Sequence, residues 1–357
     1  MHSVKQLIKR LIRSVLAPFF HYSGASRLVQ SVRRTLRPKG GVLILTYHRI
    51  VDPNGPDYTF VSETLGVHPN HFDAHMRHLK QRYDVVSLQE ATTALRDNTL
   101  GNRELVVITF DDGYYDNYDP AWPILQKYGL PATIYLATDF LEDRSVMWNE
   151  RLMPIMDQLT AKALDSLTES LPADMHACVT RYITASGQER IDEIDAFCQM
   201  LKRIPDQDKH ALIDTMAALV PEPDIHFDTP LMMAWRHIQE MQDRGDTLFA
   251  AHSCSHPILS QVSSEQLEHE LGESRKIIET RLNTPIHHFA YPNGGPNDLP
   301  PETSTTMQRH GYVTAVTQST GINTPETDPF QLRRLPIGDY EISLFDLVLE
   351  ARLLTRR

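Results

Sequence analysis

Two short clusters hold residues able to do chemistry: Thr109-Phe110-Asp111-Asp112-Gly113-Tyr114 and His252-Ser253-Cys254-Ser255-His256-Pro257. Each follows an apolar run, ELVVITF over 104–110 and LFAA over 248–251. Neighbouring residues on a strand point to opposite sides, so Asp111 and Asp112 can take different tasks. Two histidines four apart can present both imidazoles to one ion from a turn or a tight loop. Read singly, the acid pair also fits a helix N-cap beside a solvated turn acid, and the histidines also fit core or surface positions. Read together, one carboxylate and two imidazoles are a ligand set for a catalytic cation, and the second carboxylate is left free as a base. Cys254 lies between the histidines and could offer a thiolate.

Such groups need elements that deliver them to one place. VLILTY over 42–47 reads as a strand, and Val42, Ile44, Thr46 and His48 alternate along it, which puts His48 at its C-terminal end. Helical spacing of Phe72, His75, Met76, Leu79 and Tyr83 follows, then a short strand over 84–86 and a helix from Leu88 to Leu95. After the 104–110 strand come a helix over 121–128, stopped at Gly129-Leu130-Pro131, and the strand ATIYL. This alternation predicts an α/β layered fold or barrel with mainly parallel strands, whose C-terminal ends form the active face. Residues 141–230 show helical patterns and no strand, and read as a helical insertion. The rhythm returns at Met232, with strands expected at TLFAAH, HHFAYP and Gly311 to Thr317. Trp148 and Trp235 are expected to pack in the core rather than line a sugar site, and His68, His71, His287 and His288 to be surface or structural.

With 357 residues and 41% hydrophobic content the chain can bury a sizeable core. Its cysteines, Cys178, Cys198 and Cys254, have no CxxC spacing, which argues against a disulfide framework and fits a reducing compartment. Residues 1–40 hold nine Lys and Arg and no acid, which leaves the remainder at −20 within a net charge of −11. An acidic body excludes nucleic acid as its partner, and a basic tip favours an anionic surface. Val4, Leu7, Ile8, Leu11, Ile12, Val15, Leu16 and Phe19 form one helical stripe, with Lys5, Lys9, Arg10 and Arg13 off it. Charges interrupt the stripe too often for a membrane span or a secretory leader. It reads as a helix in the cytoplasmic membrane interface, or as an ordinary helix packed on the body. Residues 1–40 thus form a membrane-interface segment, and 41–357 one domain interrupted by the insertion over 141–230.

TFDDGYYDNY, HSCSHPILS and FAYPNGG (289–295) resemble, in order and spacing, the first three motifs of the polysaccharide deacetylase family, the NodB-homology or family 4 carbohydrate esterases. The similarity covers about residues 41–140 and 230–340. It implies a distorted (β/α) barrel of the NodB type carrying the helical insertion and the N-terminal amphipathic helix. It implies that Asp111 is the base, that Asp112, His252 and His256 hold one divalent metal, most often Zn2+ with Co2+ or Ni2+ as alternatives, and that Cys254 is no ligand. Tyr291, Pro292 and Asn293 fall on the substrate and oxyanion motif, with the Asn293 N–H facing the oxyanion. The family arginine that holds the base is replaced by Ala290, so Arg334 in LRRLP is the candidate partner from elsewhere in the chain. The family's last motif, with its acid histidine, is missing from the C-terminus. In circularly permuted members it precedes the first motif, and His48 matches it as the acid that protonates the leaving amine.

The implied activity is metal-dependent hydrolysis of an N-acetyl amino sugar in a bacterial-type surface glycan or its lipid-linked or nucleotide-linked precursor, at the inner membrane face. Deformylation of a lipid-linked amino sugar and O-acetyl ester hydrolysis use the same residues, and a silent glycan-binding relative is the reading from another class. The insertion is expected to cap the site and shape substrate choice.

Overall fold

The protein is described by a computed structural model over residues 10–36, 40–52, 65–143, 145–167, 171–221 and 230–355. The strands are β1 (Gly41–Tyr47), β2 (Asp84–Val85), β3 (Glu104–Phe110), β4 (Ala132–Leu136), β5 (Thr247–Ala251), β6 (His288–Ala290), β7 (Thr314–Val316) and β8 (Arg334–Pro336). All pairings between them are parallel, in the order β7-β6-β5-β4-β3-β1-β8, with β2 on the first half of β3. Val316 also bridges Leu332 just ahead of β8, so the seven-strand path curls into a nearly closed barrel. The expected strand over 311–317 shrinks to β7, because Gly311 has φ 76° and breaks the extended run.

The two-residue period sorts the side chains. Val42, Ile44, Leu105, Val107, Tyr135, Ala250, Ala290 and Val316 share the inner cluster. Leu43, Leu45, Tyr47, Val106, Ile108, Phe110, Ile134, Phe249 and Phe289 share the outer cluster, which packs against the helices. Helix α3 (Pro69–Arg82) buries Phe72, Met76 and Leu79 in that outer layer. Its neighbour α4 (Leu88–Arg96) starts at the Ser87 cap, whose oxygen accepts from the Glu90 N–H at 3.1 Å, and its Leu88, Ala91 and Leu95 join the inner cluster. The outer ring continues with α5 (Trp122–Tyr128).

Between β4 and β5 lie α6 (Trp148–Gln158), α7 (Ala161–Asp165), α8 (Ala173–Thr184), α9 (Gly187–Leu201) and α10 (Asp206–Ala217). They bury a hydrophobic cluster of their own, with Leu152, Ile155, Cys178, Tyr182, Phe197 and Ile213 at its centre. The strand–helix rhythm then resumes with α11 (Trp235–Arg244), α12 (Ser264–Leu282), α13 (Thr303–Arg309) and α14 (Ile342–Thr355).

The N-terminal segment runs through a π-helical turn at Ile12–Leu16 and two helices, α1 (Ala17–Tyr22) and α2 (Ala25–Leu36). Val4, Leu7 and Ile8 of the apolar stripe lie outside the described residues. The rest of the segment is docked by its polar groups. Arg33, 2% exposed, sits between Glu350 and Glu104, and His21 Nδ1 lies 2.7 Å from Asp346 Oδ2, with His78 on the other carboxylate oxygen at 3.2 Å. Leu11, Val15, Leu16, Phe19, Tyr22, Leu28 and Val32 face outward and are exposed. Among the described residues no helix is long and apolar enough to cross a membrane.

Candidate active site

Parallel strands place their C-terminal ends on one face, and there the clusters meet. His48 follows β1, Asp111 and Asp112 follow β3, His252 follows β5, and Asn293 ends the turn after β6. With Arg49, Gln318 and residues of the helical insertion they line a cavity of about 370 Å³.

Asp112, His252 and His256 converge, with one ligand atom from each within 4.8 Å of the others. His252 Nε2 and His256 Nε2 each lie 3.4 Å from Asp112 Oδ1. His252 Nδ1 is 2.7 Å from the Ala290 carbonyl, so this nitrogen carries the proton and donates, and Nε2 is left as a lone pair facing the cluster. Asp112 Oδ1 is buried with no hydrogen-bond partner, a costly arrangement that a cation would relieve. The donor set and this orphaned oxygen fit a divalent metal.

Local backbone aims these groups. Asp112 (φ 77°), Ser253 (φ 65°), His256 (φ 58°) and Asn293 (φ 59°) take left-handed conformations that non-glycine residues avoid. Such strain persists where the surroundings over-determine it, and here it turns side chains into the cavity after the strands end. The histidine loop is held by Glu270 of α12, 2% exposed, whose carboxylate accepts from the Cys254 and Ser255 N–H groups at 2.7 and 3.0 Å and from the Ser255 hydroxyl at 2.6 Å. The Ser253 hydroxyl accepts from the His256 N–H at 3.0 Å. Cys254 is buried outside the donor set, and burial pushes its thiol up to about 12, so it stays protonated.

Asp111 stands apart from the three donors. Arg334 of β8 donates Nη1–H and Nη2–H to its two oxygens, each at 2.7 Å, and Nε–H to the Thr317 carbonyl at 2.9 Å. The partner of Asp111 thus comes from the last strand, at the position expected from LRRLP. Gln318 Nε2 reaches Asp111 Oδ2 at 3.4 Å, and His48 Nε2 lies 3.8 Å from the same oxygen. Burial raises the Asp111 carboxyl, but Arg334 and His252 outweigh it and hold the group below the usual carboxylate range. Burial lowers the His48 imidazole, against the pull of Asp111 and Asp112.

Two expectations need correction. Tyr291 does not reach the cavity: it is fully buried in the outer cluster, and its hydroxyl donates to the Phe330 carbonyl at 2.8 Å. It continues the parity of Phe289, which points away from the barrel interior, and the buried Pro292 is off the lining too, leaving Asn293 as the motif's cavity residue. Trp148 packs in the insertion's hydrophobic cluster as expected and also lines the cavity, while Trp235 stays in the core of the barrel's outer layer. Gln318 gave no sequence signal, being a lone amide after β7. Met147, Glu150, Asp195, Cys198, Gln199 and Lys202 of the insertion join the lining and were unmarked among ordinary helical patterns.

A family model described as polysaccharide deacetylase matches residues 100–315. The Bacillus subtilis chain named as polysaccharide deacetylase YxkH is 39% identical over 94 residues, which is 26% of this chain and 30% of that one. Among solved structures, the Streptococcus pyogenes deacetylase PplD in complex with acetate superimposes with a TM-score of 0.54 at 22% identity, covering 87% of this chain and 97% of that one. IcaB from Ammonifex degensii gives 0.55 at 16% identity, covering 88% and 97%. These two likenesses speak to the fold, and the family match spans more than half of the chain. The chain therefore belongs to the polysaccharide deacetylase family.

Proposed function

We propose that this chain hydrolyses the N-acetyl group of an amino sugar in a surface glycan or its precursor. The observation that carries the reading is the convergence of Asp112, His252 and His256 on one point beside an aspartate that Arg334 keeps separate. Asp112, His252 and His256 would hold a divalent cation, Zn2+ with Co2+ or Ni2+ as alternatives, which would supply Lewis acidity to the amide carbonyl and the attacking water. Asp111 takes a proton from the water as its oxygen bonds to the carbonyl carbon. The Arg334 fork keeps the carboxylate ionised and aimed. The backbone N–H of Asn293 serves the carbonyl oxygen as it gains charge. His48 gives a proton to the nitrogen as the C–N bond breaks, releasing acetate and a free amine.

Acetate release from N-acetylglucosamine oligosaccharides tests this. Metal-loaded protein is expected to release acetate, and Asp111→Asn to fall by about 10²-fold or more, the scale of a lost general base. Undiminished release by Asp111→Asn would refute the assignment.

The same reading seats the chain on the cytoplasmic face of an anionic membrane. In the helices of residues 17–36, polar and charged residues dock inward and large apolar residues point outward, flanked by Arg10, Arg13, Arg27 and Arg34. A water-exposed surface would favour the reverse arrangement, and a lipid interface accepts this one.

A further inference from the structure

The cavity wall contributed by the helical insertion holds a cation that the proposed mechanism does not use. Lys202 caps α9 and lines the cavity with Trp148, Asp195 and Gln199. Its carbonyl accepts from Gln261 Nε2 at 3.1 Å, which ties the end of α9 to the segment just after His256-Pro257. The side chain is half-buried, and no carboxylate among the described residues lies within ion-pair distance of it, although Asp195 and Asp298 contribute to its field. Lys209, by comparison, is paired with Asp206 and lies 4.9 Å above the Trp148 ring. Lys202 and His256 line the same cavity, which puts the Lys202 charge on the side of the donor cluster. Burial disfavours the Lys202 ammonium, and a half-buried charge without a partner calls for an anion.

We propose that Lys202 receives a phosphoryl group on the amino-sugar substrate, so that the enzyme prefers sugar phosphates or sugar diphosphates to neutral glycan. Trp148, with Lys209 over its ring, offers an aromatic wall to the sugar, and Lys202 meets the phosphate as a point charge. The inference rests on the deacetylase reading and deepens it. Nucleotide-linked and lipid-linked sugars share this chemistry.

The test compares kcat/KM of the metal-loaded full chain on the methyl glycoside of N-acetylglucosamine, N-acetylglucosamine 1-phosphate, its uridine diphosphate ester and a short prenyl diphosphate ester. The phosphorylated substrates are expected to be preferred, and the better of the two diphosphates identifies the carrier. Lys202→Gln is expected to cut the preference about tenfold, the scale of one charge-assisted hydrogen bond. Lys202→Arg restores it, and Lys276→Gln, at an exposed i,i+3 pair with Glu273, leaves it unchanged. An equal preference in wild type and Lys202→Gln, or a wild type that favours the neutral glycoside, overturns the inference while the deacetylase reading stands. If no substrate is hydrolysed, that reading fails. Calorimetric binding of N-acetylglucosamine 1-phosphate to wild type and Lys202→Gln then decides the role of Lys202 by itself, with equal affinities counting against it.

Discussion

Arg334 grips both oxygens of Asp111 at 2.7 Å, across 223 positions of sequence, with neither side chain exposed beyond 1%. The pairing follows from barrel closure. β8 lies on β1 with Arg334 opposite Ile44, an inward-facing position, and β1 lies on β3, whose inward parity leads to Asp111. Arg334→Lys keeps the charge but loses the fork, and kcat/KM on an N-acetylated amino sugar is expected to fall at least tenfold. Arg334→Ala leaves a buried carboxylate unpaired and should cost about 3–5 kcal/mol of stability by chemical denaturation. Wild-type activity in Arg334→Lys would show that the fork does not aim the base.

Glu270 never touches the cavity, yet three hydrogen bonds from the histidine loop end on it. Glu270→Gln replaces one acceptor oxygen with a donor and should loosen that loop. Groups that orient metal ligands typically govern 10–100-fold in affinity, so a competition titration with a chelator should show a Zn2+ affinity lower by about that factor. An unaltered affinity would mean that Ser253 and the strand ends suffice.

Much of this site is legible in the chain itself, because a parallel barrel converts sequence position into spatial position. A polar residue directly after an apolar strand lands on the active face, which is how Asp111, Asp112, His252 and His48 can be read. Parity also shows why Tyr291 misleads: it sits one step from Ala290 and shares the outward face of Phe289. Arg334 is harder, since β8 has three residues, one of them Pro336, and no apolar run marks it as a strand. Lys202 and Gln199 are invisible for a different reason. Their helix reads as one more amphipathic segment, and only the packing of the insertion over the barrel turns its solvated edge into a cavity wall.

Docking of the N-terminal segment should depend on pH through Asp346. Burial raises this carboxyl, but His78, Ser26 and His21 pull it down to about 2. A carboxyl lowered on folding stabilises above its unfolded value near 4 and loses that contribution as pH falls toward 2, about 2 kcal/mol in all. Wild type should therefore exceed Asp346→Asn in stability at pH 6, with the gap closing between pH 4 and 2. A gap independent of pH would assign the stabilisation to shape rather than charge.

The outward apolar face predicts lipid binding. The chain should cosediment with vesicles containing anionic phospholipid and be released by salt, and replacing Leu11, Phe19 and Leu28 together by Ser should weaken partitioning about tenfold or more. Equal sedimentation of this variant would remove the helix face from the interface.

Asp112, His252 and His256 are expected to hold a single cation, with Asp111 beside it and not bound to it. Titration with Co2+, followed by its visible absorption, measures this directly. One equivalent should bind, binding should collapse in His252→Ala and His256→Ala, and it should survive in Asp111→Asn. Undiminished binding without either imidazole, or its loss in Asp111→Asn, would contradict the account.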